Sequence, residues 1–344
     1  MKKCKGCGIE LQTQDTTLPG YIKALEQDYC MRCFRLSHYG DISDLKNTFL
    51  NNQDIVKAYG DHSQALFVLI TDVFDGLNLA NDEIVRLLSG HPLLLVITKN
   101  DLLPRNLSEN RIDELFLKAL KQLKGLDILD VILTYKDDQN FDELFRSFVE
   151  QSGYQEVIFV GYANAGKSSL INRLLKNDEL TTSIYPGTTL ALSYRKEGAI
   201  TYIDTPGLDD EYSYYHYLPK ESLKKVLVRK TIKPQVYQAY EDQSYFVEGL
   251  LRIDIETKKN CTLVLMINNE LNIHRCKMAN AETYQEKHLA ATCQLLPLVA
   301  REYHIKGVQV FYLKGLGLLK VKGDCTLRLH RHPGIRIYNI KGVF

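Results

Sequence analysis

Nowhere does this chain hold the roughly 18 consecutive apolar residues that a bilayer-spanning helix needs, so a helical membrane protein is not expected. The opening MKKCKGCGIE has no apolar core behind its lysines, so a secretory signal is not expected either. An excess of one charge sign is also missing: 43 Lys and Arg against 42 Asp and Glu leave a net charge of +1. With 45% hydrophobic and 25% charged residues, the composition is that of a soluble globular protein. A disulfide framework is missing too. Of the eight cysteines, four lie in two CxxC pairs, which suits a reducing cytosol and a metal site. The expected location is therefore cytoplasmic. At 344 residues the chain exceeds one typical domain, and two or three are expected.

The even charge balance hides an uneven distribution. From residue 305 onward, five lysines (306, 314, 320, 322, 341) and three arginines (328, 331, 336) stand against one acid, Asp324. These eight bases and one acid give the last forty residues +7, leaving about −6 for residues 1–304. A basic tail on a mildly acidic body is an electrostatic footprint for nucleic acid. A solvated basic face explains the charge equally well.

Residues 1–46 contain Cys4-x-x-Cys7 and Cys30-x-x-Cys33, with 22 residues between the pairs. Each CxxC is a tight knuckle that points two thiolates at one spot, and two knuckles complete the tetrahedral four-sulfur site that zinc prefers. The gap slightly exceeds the usual zinc-ribbon spacing, which a longer hairpin accommodates. So short a segment has too little apolar content to fold alone, so the metal would supply folding energy. A redox CxxC is the competing reading, and two pairs so close together disfavour it. His38 lies nearby, yet four cysteines already satisfy the ion.

Residues 50–210 alternate strand-like and helix-like patterns. ALFVLITDVF (65–74) and HPLLLVITKN (91–100) are continuous apolar runs of the length expected for buried parallel strands. VILT (131–134), EVIFVG (156–161) and AITYIDTPG (199–207) read as three more. A helix is expected over 108–124, capped by Ser108 and stopped by Gly125. Strands alternating with helices mean a doubly wound, mostly parallel α/β sheet with ligands at the strands' C-terminal ends.

GYANAGKSS (161–169) carries the strongest signal, because Gly161 to Ser168 matches GxxxxGK[ST] between an apolar strand and the helical KSSLINRLLK. Gly166 lets the backbone turn tightly and aim its N–H groups at phosphate oxygens. Lys167 reaches the β- and γ-phosphates, and the Ser168 hydroxyl coordinates Mg2+. The phosphate-binding set is Asn164, Ala165, Gly166, Lys167, Ser168 and Ser169. Downstream, DTPG (204–207) offers Asp204 to hold Mg2+ through water and the Gly207 N–H to the γ-phosphate. YPGTTL (185–190) offers a threonine hydroxyl, Thr189 or its neighbour Thr188, to the same metal.

Base recognition falls to TKND. Guanine presents two adjacent N–H donors on one edge, and a carboxylate only accepts, so Asp101 can pair with both. Lys99 lays its alkyl stem along the ring, and Thr98 precedes it. The site therefore prefers GTP to ATP. In an ordinary GTPase the phosphate loop comes before this motif; here it follows sixty residues later. A parallel sheet tolerates a cut in either connection, provided the strands still pack side by side. The order of motifs is thus that of a circularly permuted GTPase.

With the CxxC pairs in front, the chain resembles the YqeH family of bacterial small-ribosomal-subunit assembly GTPases. The resemblance covers a zinc-ribbon-like segment (1–46), the permuted GTPase domain (47–215) and a β-rich α+β C-terminal domain (216–344). It implies GTP hydrolysis coupled to binding ribosomal RNA or a small-subunit precursor, with GTP/GDP, Mg2+ and structural Zn2+. Three details stand out against the family pattern. Thr134-Tyr135-Lys136 stands where a Ser-Ala motif usually contacts the base, largely through backbone. Leu208 follows DTPG where Ras-like enzymes carry the water-positioning glutamine, so slow intrinsic turnover is expected. Asn164 occupies the position at which resembling potassium-activated GTPases place a K+ ligand, which implies K+ stimulation, a cation between the phosphates replacing an arginine finger.

Beyond residue 210 the pattern is less specific. YSYYHY (212–217) can stack on unpaired bases or pack on a neighbouring domain. A helix is expected near 219–230, then strands at FVEGLLRIDIE, CTLVLMI, GVQVFYL, CTLRLHR and GIRIYNI. Alternation there suggests one packed and one basic face, with Arg328, Arg331 and Arg336 as RNA contacts. Cys261, Cys276, Cys293 and Cys325 lack metal-like spacing and read as small buried hydrophobes. A monomer is expected. Two classes of function remain: a GTP-hydrolysing assembly switch, and a non-catalytic guanine-nucleotide-sensing RNA-binding protein.

Overall fold

The computed structural model describes residues 2–16, 18–39, 65–79, 84–85, 88–104, 116, 120, 123, 125–175, 193–208, 210–288 and 295–340. Apart from residues 116, 120 and 123, the expected helix over 108–124 lies outside the described residues, as do the threonines of 185–190. The chain forms two compact units, Met1–Asn100 with Leu123–Asp209, and Asp101–Gln122 with Asp210–Phe344. Among the described residues no helix is long and apolar enough to cross a membrane.

The first unit holds a six-stranded sheet: β1 (Ala65–Asp72), β2 (Pro92–Thr98), β3 (Asp127–Leu133), β4 (Glu156–Gly161), β5 (Ser193–Glu197) and β6 (Ile200–Asp204). Across the sheet they lie in the order β3-β2-β1-β4-β6-β5. All pairs are parallel except β5 with β6. The apolar runs are buried along β1 and β2 on both faces, as continuous apolar composition requires. From β1 the chain winds outward through β2 to β3, and from β4 it winds the other way. The reversal puts the crevice at the C-terminal ends of β1, β2 and β4. Both the 161–168 loop and Thr98–Lys99 leave strands at that end, whichever comes first in the chain.

Two helices cover one face. One spans Phe141–Ser152 and places Phe141, Phe145 and Val149, one per turn, fully inside against Phe159 and Tyr202. Gly153, at φ 75°, closes it in a left-handed cap. The other, Lys167–Leu174, begins directly after Gly166 and buries Leu170, Ile171 and Leu174. Gly161 is required by packing: a Cβ there would meet the Ile70 carbonyl oxygen of β1 at 2.3 Å. The N-terminal segment borders β5, where Arg195 donates to the Lys5 carbonyl at 3.3 Å and Lys3 lies over the Tyr194 ring.

The second unit is built on an eight-stranded antiparallel sheet: β7 (Gln235–Ala239), β8 (Gln243–Val247), β9 (Leu251–Glu256), β10 (Cys261–Ile267), β11 (Ile273–Lys277), β12 (Val299–Leu313), β13 (Gly317–Arg331) and β14 (Ile337–Asn339). Its spine is the fifteen-residue β13, which pairs along its whole length with β12. On its other edge the first half of β13 pairs with β10 and the second half with β9. The changeover falls at Gly323, opposite Gly307; a Cβ on Gly323 would press on the Cys261 Cα at 3.0 Å. FVEGLLRIDIE is not one strand but a hairpin, turned by Glu248 at φ 47° between β8 and β9. Cys261 and Cys325 are buried with their sulfurs 3.4 Å apart.

The face of β9 and β13 opposite the core is charge-paired rather than basic. His330 contacts Asp254 at 2.8 Å, Arg252 bonds Asp254 and Glu282, and Arg328 bonds Glu302 and Glu256. Glu282 and Gln285 reach this network from the helix Ala281–His288.

Candidate active site

Two clusters gather chemistry-bearing groups. In the N-terminal segment, Cys4, Cys7, Cys30 and Cys33 are all buried, and their sulfurs lie within 4.8 Å of one another. Cys7 and Cys30 sulfurs are 3.8 Å apart. That is close to the ~3.8 Å edge of a tetrahedron with Zn–S bonds of about 2.3 Å. The first knuckle is held by the Gly8 N–H on the Cys4 carbonyl at 2.9 Å, with Gly8 at φ 76°. Cys30 N–H points at the Cys4 sulfur at 3.2 Å. Four convergent buried thiols fit a divalent soft-ligand ion, and zinc by geometry.

The second cluster sits at the C-terminal ends of β4 and β6. Gly166, at φ 92°, forms the left-handed turn into the following helix, and Asn164 is left-handed too, at φ 69°. The Lys167 ammonium is buried, 2.7 Å from Asp204 and bonded to the Thr205 carbonyl. Ser168 Oγ is 3.4 Å from the other Asp204 oxygen. Serine hydroxyl and carboxylate thus sit side by side, as a Mg2+ site needs. Gly207 abuts the loop, where a Cβ would meet Ala163 at 3.1 Å. Leu208 is buried and extends the sheet: its N–H donates to Gly161 and its carbonyl accepts from Ala163, both at 3.0 Å. A leucine fixed this way offers no polar group to a water.

Thr98 and Lys99 brace the loop from β2. Thr98 Oγ1 donates to the Ala165 carbonyl at 2.7 Å, and Lys99 Nζ donates to the Asn164 carbonyl at 2.6 Å. Lys99 also pairs with Asp72, at 3.3 Å. Asp101 lies in the single 3-10 turn Asn100–Leu102 that follows β2, exposed. Thr134 follows β3, buried, with its hydroxyl on Asp138, and Tyr135 is exposed. The carbonyls of Tyr135 and Lys136 both accept from Arg173, on the helix that starts at Lys167. The Asn164 side chain has both polar atoms buried without a hydrogen-bond partner among the described residues.

Motif reading missed Asp72 and Arg173. Asp72 is buried at the end of β1, caps the turn that follows and anchors Lys99. An acid closing an apolar strand, as in ALFVLITD, was its only signal. Arg173 ties the 134–136 loop to the phosphate-loop helix, and nothing local marks it.

The tail arginines are engaged inside the second unit. Arg328 is held by Glu302 and Glu256. Arg331 donates to the His332 and Pro333 carbonyls, and burial lowers its pKa from the ordinary value. Arg336 stacks over Tyr212, 3.2 Å from the ring centroid. The tyrosine-rich segment takes the packing alternative: Tyr214 is fully buried with its hydroxyl on the Leu250 carbonyl, and Tyr217 lies against His332. Burial raises the Tyr214 pKa. Nearby, Lys314 and Asp210 form a buried ion pair of 2.8 Å.

Residues 156–291 match the family described as a 50S ribosome-binding GTPase. The Bacillus subtilis protein YqeH, itself described as uncharacterized, is 34% identical, with 97% of each chain covered. The Arabidopsis chloroplast GTP-binding protein Brassinazole Insensitive Pale Green 2 is 27% identical over 90% of this chain, which spans 55% of that longer protein. GTPase Der of Clostridium perfringens is 34% identical over 42% of this chain and 34% of its own. Similarity to YqeH over nearly the full length of both proteins, together with the permuted strand order around the phosphate loop, establishes that this chain belongs to the YqeH family of circularly permuted GTPases.

Proposed function

We propose that this GTPase is a nucleotide-driven switch in assembly of the small ribosomal subunit, binding ribosomal RNA or a precursor particle in its GTP state. The reading rests most on one observation: the magnesium-side acid Asp204 and the buried latch Asp210–Lys314 lie six residues apart on one continuous strand of chain. The permutation makes that connection direct. The ribosomal relation named for the matched family supports the partner class.

In the mechanism we propose, Lys167 and Asp204 exchange partners. With nucleotide bound, Lys167 would hold the β- and γ-phosphates, and Asp204, Ser168 and Thr189 or Thr188 would hold Mg2+. Asp101 reads the guanine edge, Lys99 covers the ring and the 134–136 backbone closes the site. The metal's chemistry is to neutralise charge on the phosphates. Movement at 204–208 is then passed to 210–217, which the C-terminal domain holds through Lys314, Tyr214 and Arg336. The modules are the zinc segment 1–46, the GTPase domain 47–215 and the C-terminal domain 216–344. Intrinsic turnover is slow, because Leu208 cannot orient water. The unpartnered Asn164 carboxamide favours a potassium role: leaving such a group buried costs about 1–3 kcal/mol, and K+ coordination in the nucleotide complex would offset it. Equal hydrolysis rates in potassium and sodium would remove that role.

Co-sedimentation with ribosomal subunits tests the main reading, with a non-hydrolysable GTP analogue, GDP or no nucleotide. Co-migration with the small subunit in the GTP-like state alone is expected; no association in any state would overturn it. The buried Leu208 also favours a second reading, a sensor that binds GTP and RNA without relevant hydrolysis. Turnover that stays negligible with subunits added would select it.

A further inference from the structure

The cations of this protein fall into two kinds. Those in the C-terminal tail that the structure describes in ion pairs have carboxylates waiting for them, whereas a second group has none. Helix Lys220–Val226 buries Leu223 and Val226 and turns Lys224 outward. The chain then runs through Arg229, Lys230 and Lys233, all exposed. These four bases line one cleft of about 900 Å3, whose single acid among the described residues is Glu270. Among the described residues none of the four forms an ion pair or a side-chain hydrogen bond. Lys225, outside the cleft, pairs with Glu248.

The cleft floor is tied by hydrogen bonds. Asn268 donates to the Leu227 carbonyl at 2.7 Å and Asn269 to the Thr231 carbonyl at 3.0 Å, while the Lys233 N–H donates to Asn269 at 2.9 Å. The amides are thereby used to hold the loop rather than to read a ligand. Among the described residues no aromatic ring lines the cleft to serve as a stacking platform for a base. What it offers is fixed positive charge at a concave surface, the chemistry of a phosphate chain. The floor is also tied to the base-reading turn: Thr231 Oγ1 donates to the Asp101 carbonyl at 3.0 Å, and the Ile232 N–H to the Leu102 carbonyl at 2.9 Å.

We propose that the cleft formed by Lys224, Arg229, Lys230 and Lys233 binds the phosphodiester backbone of RNA and couples its occupancy to guanine-nucleotide affinity through the Asp101 turn. This rests on the RNA-linked reading above and names the surface that would carry it, in place of the tail arginines. Contact is sequence-tolerant and salt-sensitive. Because coupling between two binding events is reciprocal, RNA must tighten the GTP analogue by the same factor as the analogue tightens RNA.

The test is fluorescence anisotropy of a labelled RNA hairpin with a single-stranded tail, titrated with the full-length protein across a salt series. Wild type is compared with the variant in which all four bases become Gln, and with Lys230→Glu alone. The quadruple variant should lose about tenfold or more in affinity, and its log-affinity against log-salt slope should flatten by roughly 3, about 0.7–0.9 per lost contact. Lys230→Glu should weaken binding in the same direction, and the circular dichroism melts of both should match wild type. Unchanged affinity and slope in a quadruple variant, with wild type binding RNA, would overturn the cleft and leave the RNA-linked reading standing. Wild type that binds no RNA in any nucleotide state would overturn both. Displacement of the RNA by polyglutamate, or by inorganic tripolyphosphate, at equal charge concentration would reassign the cleft to acidic peptides or to small polyphosphates, against the proposal.

Discussion

Two basic regions of this protein look alike in the sequence, yet several cations of one are engaged inside the fold where four of the other are not. The tail from residue 305 carries +7, yet Lys314 is buried on Asp210, Arg328 is held by two glutamates and Arg336 lies on a tyrosine. Residues 224–233 hold fewer bases, and four of them, Lys224, Arg229, Lys230 and Lys233, are exposed along a cleft without carboxylate partners among the described residues, while Lys225 outside it pairs with Glu248. A paired cation contributes to stability and little to recognition, because its field is already neutralised nearby. An unpaired one contributes little to stability and keeps its field for a ligand. Net charge over a segment therefore says less than where the counter-charges sit.

The sharpest way to break the comparison is at its most buried member. Lys314→Met leaves Asp210 charged, with only 11% of its side chain exposed and no ammonium 2.8 Å away. Breaking one side of a buried pair costs about 3–5 kcal/mol. Thermal unfolding followed by far-ultraviolet circular dichroism is the measurement, since the chain has no tryptophan to report by fluorescence. Adding Asp210→Asn to Lys314→Met should recover part of the loss. A single-variant loss below about 1 kcal/mol would place this pair with the weak exposed ones.

The second prediction uses pH. Asp254 is buried, which alone would raise its pKa, but hydrogen bonds from His330, Arg252 and Ser244 outweigh burial and hold it at about 2. A carboxyl depressed in the folded state stabilises the protein above its unfolded value, near 3.9. The contribution is lost as pH falls through the folded value. The window is thus from about pH 4 down to about pH 2, and the loss is on the order of 2 kcal/mol. Asp254→Asn should be less stable at neutral pH and flatter across that window when denaturant midpoints are compared. An acid limb identical to wild type would show that Asp254 is not the group responsible.

How much of this was legible follows from what each feature depends on. The buried strands β1, β2 and β4 show as unbroken apolar runs because both faces are covered, and the phosphate loop shows because its chemistry needs fixed residues at fixed spacing. The edge strands β5, β7 and β11 did not show: SYRKE, QVYQA and IHRCK are half-exposed and carry polar residues on both faces. The long β12–β13 hairpin was read only as two separate fragments, GVQVFYL in the half of β12 next to the turn and CTLRLHR in the far half of β13, since the paired Gly307 and Gly323 interrupt the alternation. At the site, the phosphate-loop motif was readable, and the side chains that brace its neighbourhood were not. Asp72 and Arg173 act on residues 27 and 37–38 positions away, a distance no local pattern records. The same holds for the tail: Glu256 and Asp254 lie 72 and 76 residues before Arg328 and His330, the side chains they bond.

The smallest expected effects sharpen the comparison most directly, because they set one residue of each region side by side. Arg328→Gln removes a cation that is 34% exposed and bonded to two glutamates that are also partly exposed. Pairs of that kind are worth about 0–1 kcal/mol, and RNA affinity should stay near wild type because the arginine's charge was already met. Lys230→Gln removes an exposed cation with no partner among the described residues, so stability should change by less than about 0.5 kcal/mol. Its salt slope for RNA should nevertheless fall by about 1. The two variants therefore separate in opposite directions on the two axes, stability and salt-dependent binding. If Arg328→Gln flattened the salt slope and Lys230→Gln left it untouched, pairing within the fold would not be what decides which cations recognise RNA, and the tail rather than the cleft would be the binding surface.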